Sequence, residues 1–237
     1  MLAGVNIDLM ELSGSPKRAY HHGDLRNALI AAAAELAAQG GPGSVSIRAA
    51  ARQVGVTPTA AYRHFAGQEE LVAAAHACAL EELSGAMQKE LVARPQVDDP
   101  VQFALGSLAA LGRGYLAFAR AEPGLFRTVF SEEGAQRKPE LDGQRVATDP
   151  FQLLLESLDE LVAVGYLSVE RRPLAEVAAW SMVHGLATLL DGPLRDMPDE
   201  VREDAIVRSM VVLGNGLGGQ GLTAEQEKLL TDEMRAA

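Results

Sequence analysis

Apolar side chains return every third or fourth residue through almost the whole chain, and nowhere do apolar and polar residues alternate for long. A repeat near 3.6 residues lays a continuous stripe along a helix, whereas a strand needs a period of two, so the pattern predicts an all-α protein. Leu71, Ala75, Ala79, Leu83 and Met87 recur at four-residue intervals in what should be a long helix, ending at Arg94-Pro95. An earlier helix carries Leu25, Leu29, Ala32 and Leu36, with Asp24 as its cap and Gly40-Gly41-Pro42-Gly43 as its breaker. Further on, Ala104, Leu108, Leu111, Tyr115 and Phe118 form a stripe closed by Glu122-Pro123-Gly124, and a brief helical piece should follow. Phe151, Leu154, Leu158 and Leu161 predict another helix. Pro173 should open the one bearing Trp180 and His184, and the last long helix should run from about Asp199 to Gly214. Ser131 to Asp149 reads as a polar loop, the first 16 residues as disordered, and Thr223 to Gln226 as a capping box.

Charge is divided unevenly along this frame. The 237 residues carry a formal net charge of -11, yet residues 17–66 hold six basic groups against two acids and no acid occurs from Ala37 to Gln68. A small basic module therefore precedes a larger acidic one, and such a module suits contact with phosphates even in an acidic protein. A single cysteine, Cys78, can form no internal disulfide and fits a reduced, cytoplasmic setting. The opening residues lack the basic-then-apolar order of a secretory leader, and no apolar run approaches the roughly 20 residues of a membrane span, so a soluble protein is expected.

Within the acid-free stretch, SIRAAARQVGVTPTAAYRHF has the layout of two short helices joined by a glycine turn. Ser46 should cap the first and Thr57 the second, with Pro58 at the first helical position and Gly55 between them. Small side chains at Thr57, Thr59, Ala60 and Ala61 let the second helix sink into a major groove about 12 Å wide. Tyr62, Arg63 and His64 at its far end suit phosphate or base contacts, and both helix starts offer amides to phosphates. An ordinary solvated helical pair would show much of the same pattern.

Val56 to Phe65, followed by Glu69 and Leu71, resembles the recognition helix and next-helix start of TetR/AcrR-type transcriptional regulators. Tyr20-His21-His22-Gly23-Asp24-Leu25-Arg26 resembles the opening of the first helix in one branch of that family. Trp180-Ser181-Met182-Val183-His184-Gly185 is similar to the Trp-His-Gly signature for which the branch's C-terminal domain is named. The resemblance implies an all-helical homodimer that binds a palindromic operator and responds to a small effector, most simply as a repressor. It divides the chain into an arm (1–19), a DNA-binding module (20–67), an effector and dimerisation domain (68–217) and a tail (218–237). It implies DNA contacts from Ser46, Arg48, Thr57, Pro58, Thr59, Ala60, Tyr62, Arg63 and His64. Gln68 stands where the family often has a phosphate-binding lysine, which shifts weight to Arg48, Arg63 and the Lys17-Arg18 arm.

An effector cavity between helices would draw its walls from Phe103, Tyr115, Phe118, Phe126, Phe130, Phe151, Trp180, Met182 and His184, each of which equally suits plain core packing. Trp180 and His184 share a helix face, and the structural reading has the tryptophan in the core, the histidine hydrogen-bonded and Gly185 at a close helix crossing. Wide apolar faces at 173–191 and 199–214 predict a four-helix interface between two copies. Gly214 to Gly219 satisfies G-x-G-x-x-G without the strand that a dinucleotide site requires, and so reads as a helix end and linker. No nucleophile-base pair, metal spacing or cofactor motif is apparent. His76 and Cys78 lie two residues apart and face different ways on a helix. The rival function is a helical small-molecule-binding protein or enzyme that does not touch DNA.

Overall fold

A computed structural model describes residues 22–131 and 149–219, together with Thr223 and Gln226. The expectations for the N-terminal arm, Tyr20 and His21, and most of the Ser131–Asp149 loop concern residues outside these. Among the described residues there are nine α-helices and no strand: α1 (His22–Gly40), α2 (Ile47–Val54), α3 (Pro58–Ala61), α4 (Gln68–Ala93), α5 (Pro100–Ala121), α6 (Pro123–Val129), α7 (Pro150–Ala163), α8 (Ala175–Asp191) and α9 (Asp199–Leu217).

Local signals set most of the boundaries. The Ser46 hydroxyl accepts the Ala49 N–H at 3.2 Å to start α2, and Gly55 ends it in the left-handed region at φ 78°, where a side chain would be strained. The Thr57 hydroxyl accepts the Ala60 N–H at 3.3 Å to start α3. Asp99 and Asp149 cap α5 and α7 through their carboxylates, each ahead of a proline at the first helical position. Near the C-terminus Thr223 N–H donates to Gln226 and Gln226 N–H donates back to Thr223, a reciprocal capping box.

Three boundaries differ from expectation. Helix α1 already includes Gly23 and Asp24, so Asp24 is not its cap. Helix α8 begins at Ala175 and not at Pro173, because Leu174 takes a left-handed φ of 63° and breaks the run. Helix α9 continues three residues past Gly214 to Leu217, and Gly218 is its C-cap, so the glycine-rich string is a helix end. Room is the reason for that last glycine: a Cβ at Gly218 would stand 2.8 Å from the Tyr166 ring, whose hydroxyl donates to the Gly214 carbonyl at 2.9 Å.

Helices α1 to α3 form a compact head around Leu29, Ala33, Val45, Ile47, Ala50, Ala51, Ala61 and Phe65. Helix α4, about 39 Å long at 1.5 Å per residue, leaves the head and runs the length of the second domain. Its Ala73, Ala74 and Ala75 are all buried, which requires neighbours on more than one side. The core that begins in the head continues along α4 into α5 and α6, while a second cluster of Leu158, Leu161, Leu167 and Leu217 closes the far end. Two glycines set how closely helices meet. A Cβ at Gly114 of α5 would fall 2.5 Å from the Met87 Cα of α4, and one at Gly124 of α6 would overlap the Ala38 carbonyl oxygen at the end of α1.

Candidate functional site

None of the nine sequence-predicted residues of the head is fully buried. Arg48, Thr57, Pro58, Thr59, Tyr62 and Arg63 are exposed, and Ser46, Ala60 and His64 are half-buried. Tyr62 is 54% exposed, whereas Ala61 and Phe65 on either side of this segment point into the core at 1%. After its four-residue α3 the chain stays wound, with His64 N–H donating to the Ala61 carbonyl at 2.9 Å and Phe65 N–H to the same carbonyl at 3.2 Å. Tyr62, Arg63 and His64 are thereby held on a tightened continuation of the helix. Among the described residues no acidic side chain pairs with Arg48, Arg52 or Arg63. The cap hydroxyls of Ser46 and Thr57 already take up the Ala49 and Ala60 amides, so part of the amide edge foreseen for phosphates is used within the protein.

One basic group of the module has an internal task that local pattern did not reveal. The Arg26 guanidinium lies 5.1 Å over the Phe65 ring and 3.8 Å from Glu70, which also accepts the Ala66 N–H at 2.7 Å. This small knot fixes the junction between the head and α4. Glu35, the head's acid on α1, accepts a hydrogen bond from Gln53 and ties α1 to α2.

The second domain contains a partly open apolar cavity of about 430 Å³, within the usual range for small-ligand pockets. Leu80, Leu83 and Met87 of α4 form one wall, Leu108, Leu111 and Tyr115 of α5 the next, and the end of α6 contributes Val129 and Phe130. Phe151 and Leu154 of α7, Trp180 and Val183 of α8, and Met210 and Leu213 of α9 complete it. Tyr115, Phe130, Phe151 and Trp180 thus reach the lining among the aromatic candidates. Phe118 is instead buried in the main core, Phe103 stacks beneath Arg94 at 4.1 Å, and Met182 lies off the cavity wall. Phe126 and His184 form a second row. His184 stacks on Phe126 at 5.5 Å, meets Phe130 edge-on at 4.5 Å, and its Nδ1 shares a hydrogen bond of 2.8 Å with Tyr115 Oη. Trp180 does not fill the core: it is 39% exposed, and its Nε1–H donates to Tyr115 Oη at 3.4 Å. A Cβ on Gly185 would meet nothing within 4 Å, so among the described residues no helix crosses closely there. The leucines and methionines of the lining were readable as helix stripes, but their periodicity gave no sign that a void lay between them.

Burial sets the protonation of this region. It pushes the Tyr115 phenol well above its usual range and holds the His184 imidazole below its own, so it favours the neutral form of each. His76 is likewise held down by burial, against the opposing effect of its bond to the Val129 carbonyl, to which its Nε2–H donates at 3.0 Å. Burial, with Glu81 and Glu82 nearby, raises the Cys78 thiol, which makes it a poor nucleophile. No group of three or more metal-ligating side chains forms among the described residues, and no helix among them is long and apolar enough to cross a membrane.

Comparison with known proteins agrees with this division into head and cavity. Residues 29–75 match the family model described as bacterial regulatory proteins, tetR family, and residues 108–213 match the tetracyclin repressor-like C-terminal domain. No curated protein matches the chain. Among solved structures, a protein of unknown function from Rhodococcus sp. RHA1 superposes with a TM-score of 0.67 at 24% identity, covering 85% of this chain and 100% of that one. A protein assigned to the tetR family of transcription regulators from Shewanella sp. PV-4 gives 0.55 at 18%, covering 81% and 97%. A TetR transcriptional regulator from Streptomyces coelicolor gives 0.51 at 20%, covering 84% and 99%. These likenesses concern the fold, whereas the two family models together take in well over half of the chain. With the family's N-terminal model matched at residues 29–75 and its C-terminal domain at 108–213, the chain belongs to the TetR family of bacterial regulatory proteins.

Proposed function

We propose that the protein is a cytoplasmic, ligand-responsive repressor that binds a palindromic operator as a homodimer and leaves it when a small molecule fills the cavity of the second domain. The observation that supports this most strongly is that one helix, α4, both leaves the head beside Phe65 and walls the cavity with Leu80, Leu83 and Met87. A ligand that prefers one position of α4 shifts the head by as much as that preference, and no more. In this reading Arg48, Arg63 and Tyr62 contact DNA, Thr57, Thr59 and Ala60 face base edges, and Tyr115, Phe151 and Trp180 meet the effector. Phe126 and His184 support that wall from behind. The Trp-His-Gly branch is the sub-grouping we favour, on the strength of Trp180, His184 and Gly185 alone.

The pairing surface is proposed on α8 and α9, where Val177, Leu189, Val201, Val207, Val211 and Val212 stand exposed. Such a row of large apolar side chains on two adjacent helices needs covering, and a two-fold pairing would set two heads side by side to read successive turns of DNA. The test is selection from random duplex DNA followed by footprinting. An inverted repeat with half-sites about 34–36 Å apart supports the proposal. Failure to retain any sequence would leave a helical sensor without a DNA partner.

A further inference from the structure

We infer that the cavity takes an electrically neutral, largely apolar small molecule carrying one hydroxyl or carbonyl group, which docks on Tyr115 Oη. This deepens the effector reading above and rests on it only for the consequence at DNA. The walls are largely aliphatic and aromatic, and the polar groups of Trp180 and His184 converge on Tyr115 Oη. Trp180 Nε1–H, which can only donate, approaches Tyr115 Oη at 3.4 Å, and His184 Nδ1 lies 2.8 Å from the same oxygen. Ser131 and Asp149 are the other polar residues of the lining. Asp149 is exposed, and its carboxylate accepts the Phe151 N–H at 2.9 Å as the cap of α7. An ion drawn past it would lose its water and find no counter-charge among the inner wall residues, which disfavours both anions and cations.

The docking point serves a donor or an acceptor because neutral imidazole has two tautomers. With the proton on Nε2, His184 Nδ1 accepts the Tyr115 O–H, and the phenol oxygen keeps a lone pair for a ligand hydroxyl. With the proton on Nδ1, His184 donates to the phenol oxygen, and the Tyr115 O–H turns to a ligand carbonyl. Exchange between the two moves one proton and creates no charge. A neutral phenol beside a neutral imidazole is therefore what fits the site to uncharged ligands, and burial favours the neutral form of His184.

The full chain, without DNA, should be titrated calorimetrically and by Trp180 fluorescence with para-pentylphenol, para-pentylacetophenone, pentylbenzene, para-pentylbenzoate and para-pentylbenzylammonium. The phenol and the ketone should each bind about tenfold more tightly than the hydrocarbon, the size of one buried hydrogen bond. Both ions should bind about a hundredfold more weakly than the phenol. Tyr115→Phe, which keeps the ring, should bring the phenol, ketone and hydrocarbon to within about twofold of one another. Equal binding of phenol and hydrocarbon by the wild-type protein, or no binding by any probe, would overturn the inference. So would preferred binding of the ammonium probe that disappears in Asp149→Asn, which would mark a cation site at the rim. Should Tyr115→Phe not fold, the ranking of the five probes on the wild-type protein still decides. Operator release is measured separately: a phenol that binds as stated but leaves operator affinity unchanged refutes the effector reading and leaves the ligand class standing.

Discussion

Tyr115 of α5 and His184 of α8 are joined by a hydrogen bond of 2.8 Å that fastens together two walls of the cavity. Tyr115 is almost wholly buried, and His184 is wedged against Phe126 and Phe130. Replacing His184 with Ala leaves the Tyr115 hydroxyl without its short partner and opens space behind Phe130. We expect a loss of about 1–3 kcal/mol of stability, the usual cost of an unpaired buried polar group. Chemical denaturation of the wild type and His184→Ala checks this. A variant of unchanged stability that still binds operator but ignores every effector would show that the residue serves recognition and not packing.

Stability should also depend on pH through His76 and His184. Both folded-state values lie below the ordinary imidazole value near 6.5, so at lower pH the unfolded chain takes up protons that the folded chain resists. The stabilisation is complete above about pH 6.5 and declines as pH falls from there through each depressed folded-state value. Melting temperatures measured from pH 8 downward should trace that decline, and His76→Gln with His184→Gln should flatten it. A double variant with the wild-type slope would assign the dependence to the carboxylates.

On the head, neighbouring aromatic residues should behave oppositely. Tyr62 and Arg63 are exposed, so Tyr62→Ala and Arg63→Ala should abolish specific DNA binding with helicity and assembly unchanged. Phe65, at 1% exposure beneath Arg26, should instead cost about 3–5 kcal/mol when cut to Ala. Wild-type operator affinity should fall with salt, with a logarithmic slope of about 0.9 per phosphate neutralised. Footprints of Tyr62→Ala and Arg63→Ala indistinguishable from wild type would move the reading surface elsewhere.

The caps around the glycine turn were legible from sequence because a cap is settled within four residues: Ser46, Gly55 and Thr57 stand in the roles their neighbours dictate, whereas Asp24 lies inside α1. The α5–α8 pairing was not, since Tyr115 and His184 are 69 positions apart and a stripe tells that a residue is covered, not by what. Hence Phe118 and Phe126 sort to the core and to the second row, while Phe151 and Trp180 reach the lining. The Leu174 break had no warning either: a leucine at φ 63° is rare, and Pro173 beside it resembled an ordinary helix start.

Depth along α9 decides how the proposed pairing surface should be tested. Ile206 packs on the chain's own core, and Met210 lines the cavity with its Sδ near Gly112, so a charge at either position would damage the fold before it reported on assembly. Val207 and Val211, at 60% and 55% exposure, point outward. Val207→Glu and Val211→Glu should each give folded monomers in sedimentation, with operator affinity lost because one head alone makes half the contacts. Dimers persisting in both variants would place the interface on another face.

The last expectation concerns how a filled cavity reaches the head. Helix α6 is a seven-residue wedge: at its start Gly124 abuts the Ala37 and Ala38 carbonyls that end α1, and at its finish the Val129 carbonyl is held by His76 of α4. Val129 and Phe130 line the cavity, so a ligand pressing there pushes a short rigid piece whose other end touches the head. A methyl group at Gly124 cannot be accommodated without moving α6 away from α1, an overpacking that costs about 1–3 kcal/mol. Gly124→Ala should therefore lower the melting temperature and change operator affinity although it lies far from the DNA-facing residues. Binding of a neutral probe to the cavity without DNA should change as well, because Val129 and Phe130 move with α6, so the coupling factor and not probe affinity alone is the readout. The reciprocal measurement should agree: in wild type, operator DNA weakens probe binding by the factor with which the probe weakens operator binding, and in Gly124→Ala both factors shrink together. A Gly124→Ala protein whose two factors match the wild type would show that the signal runs along α4 alone.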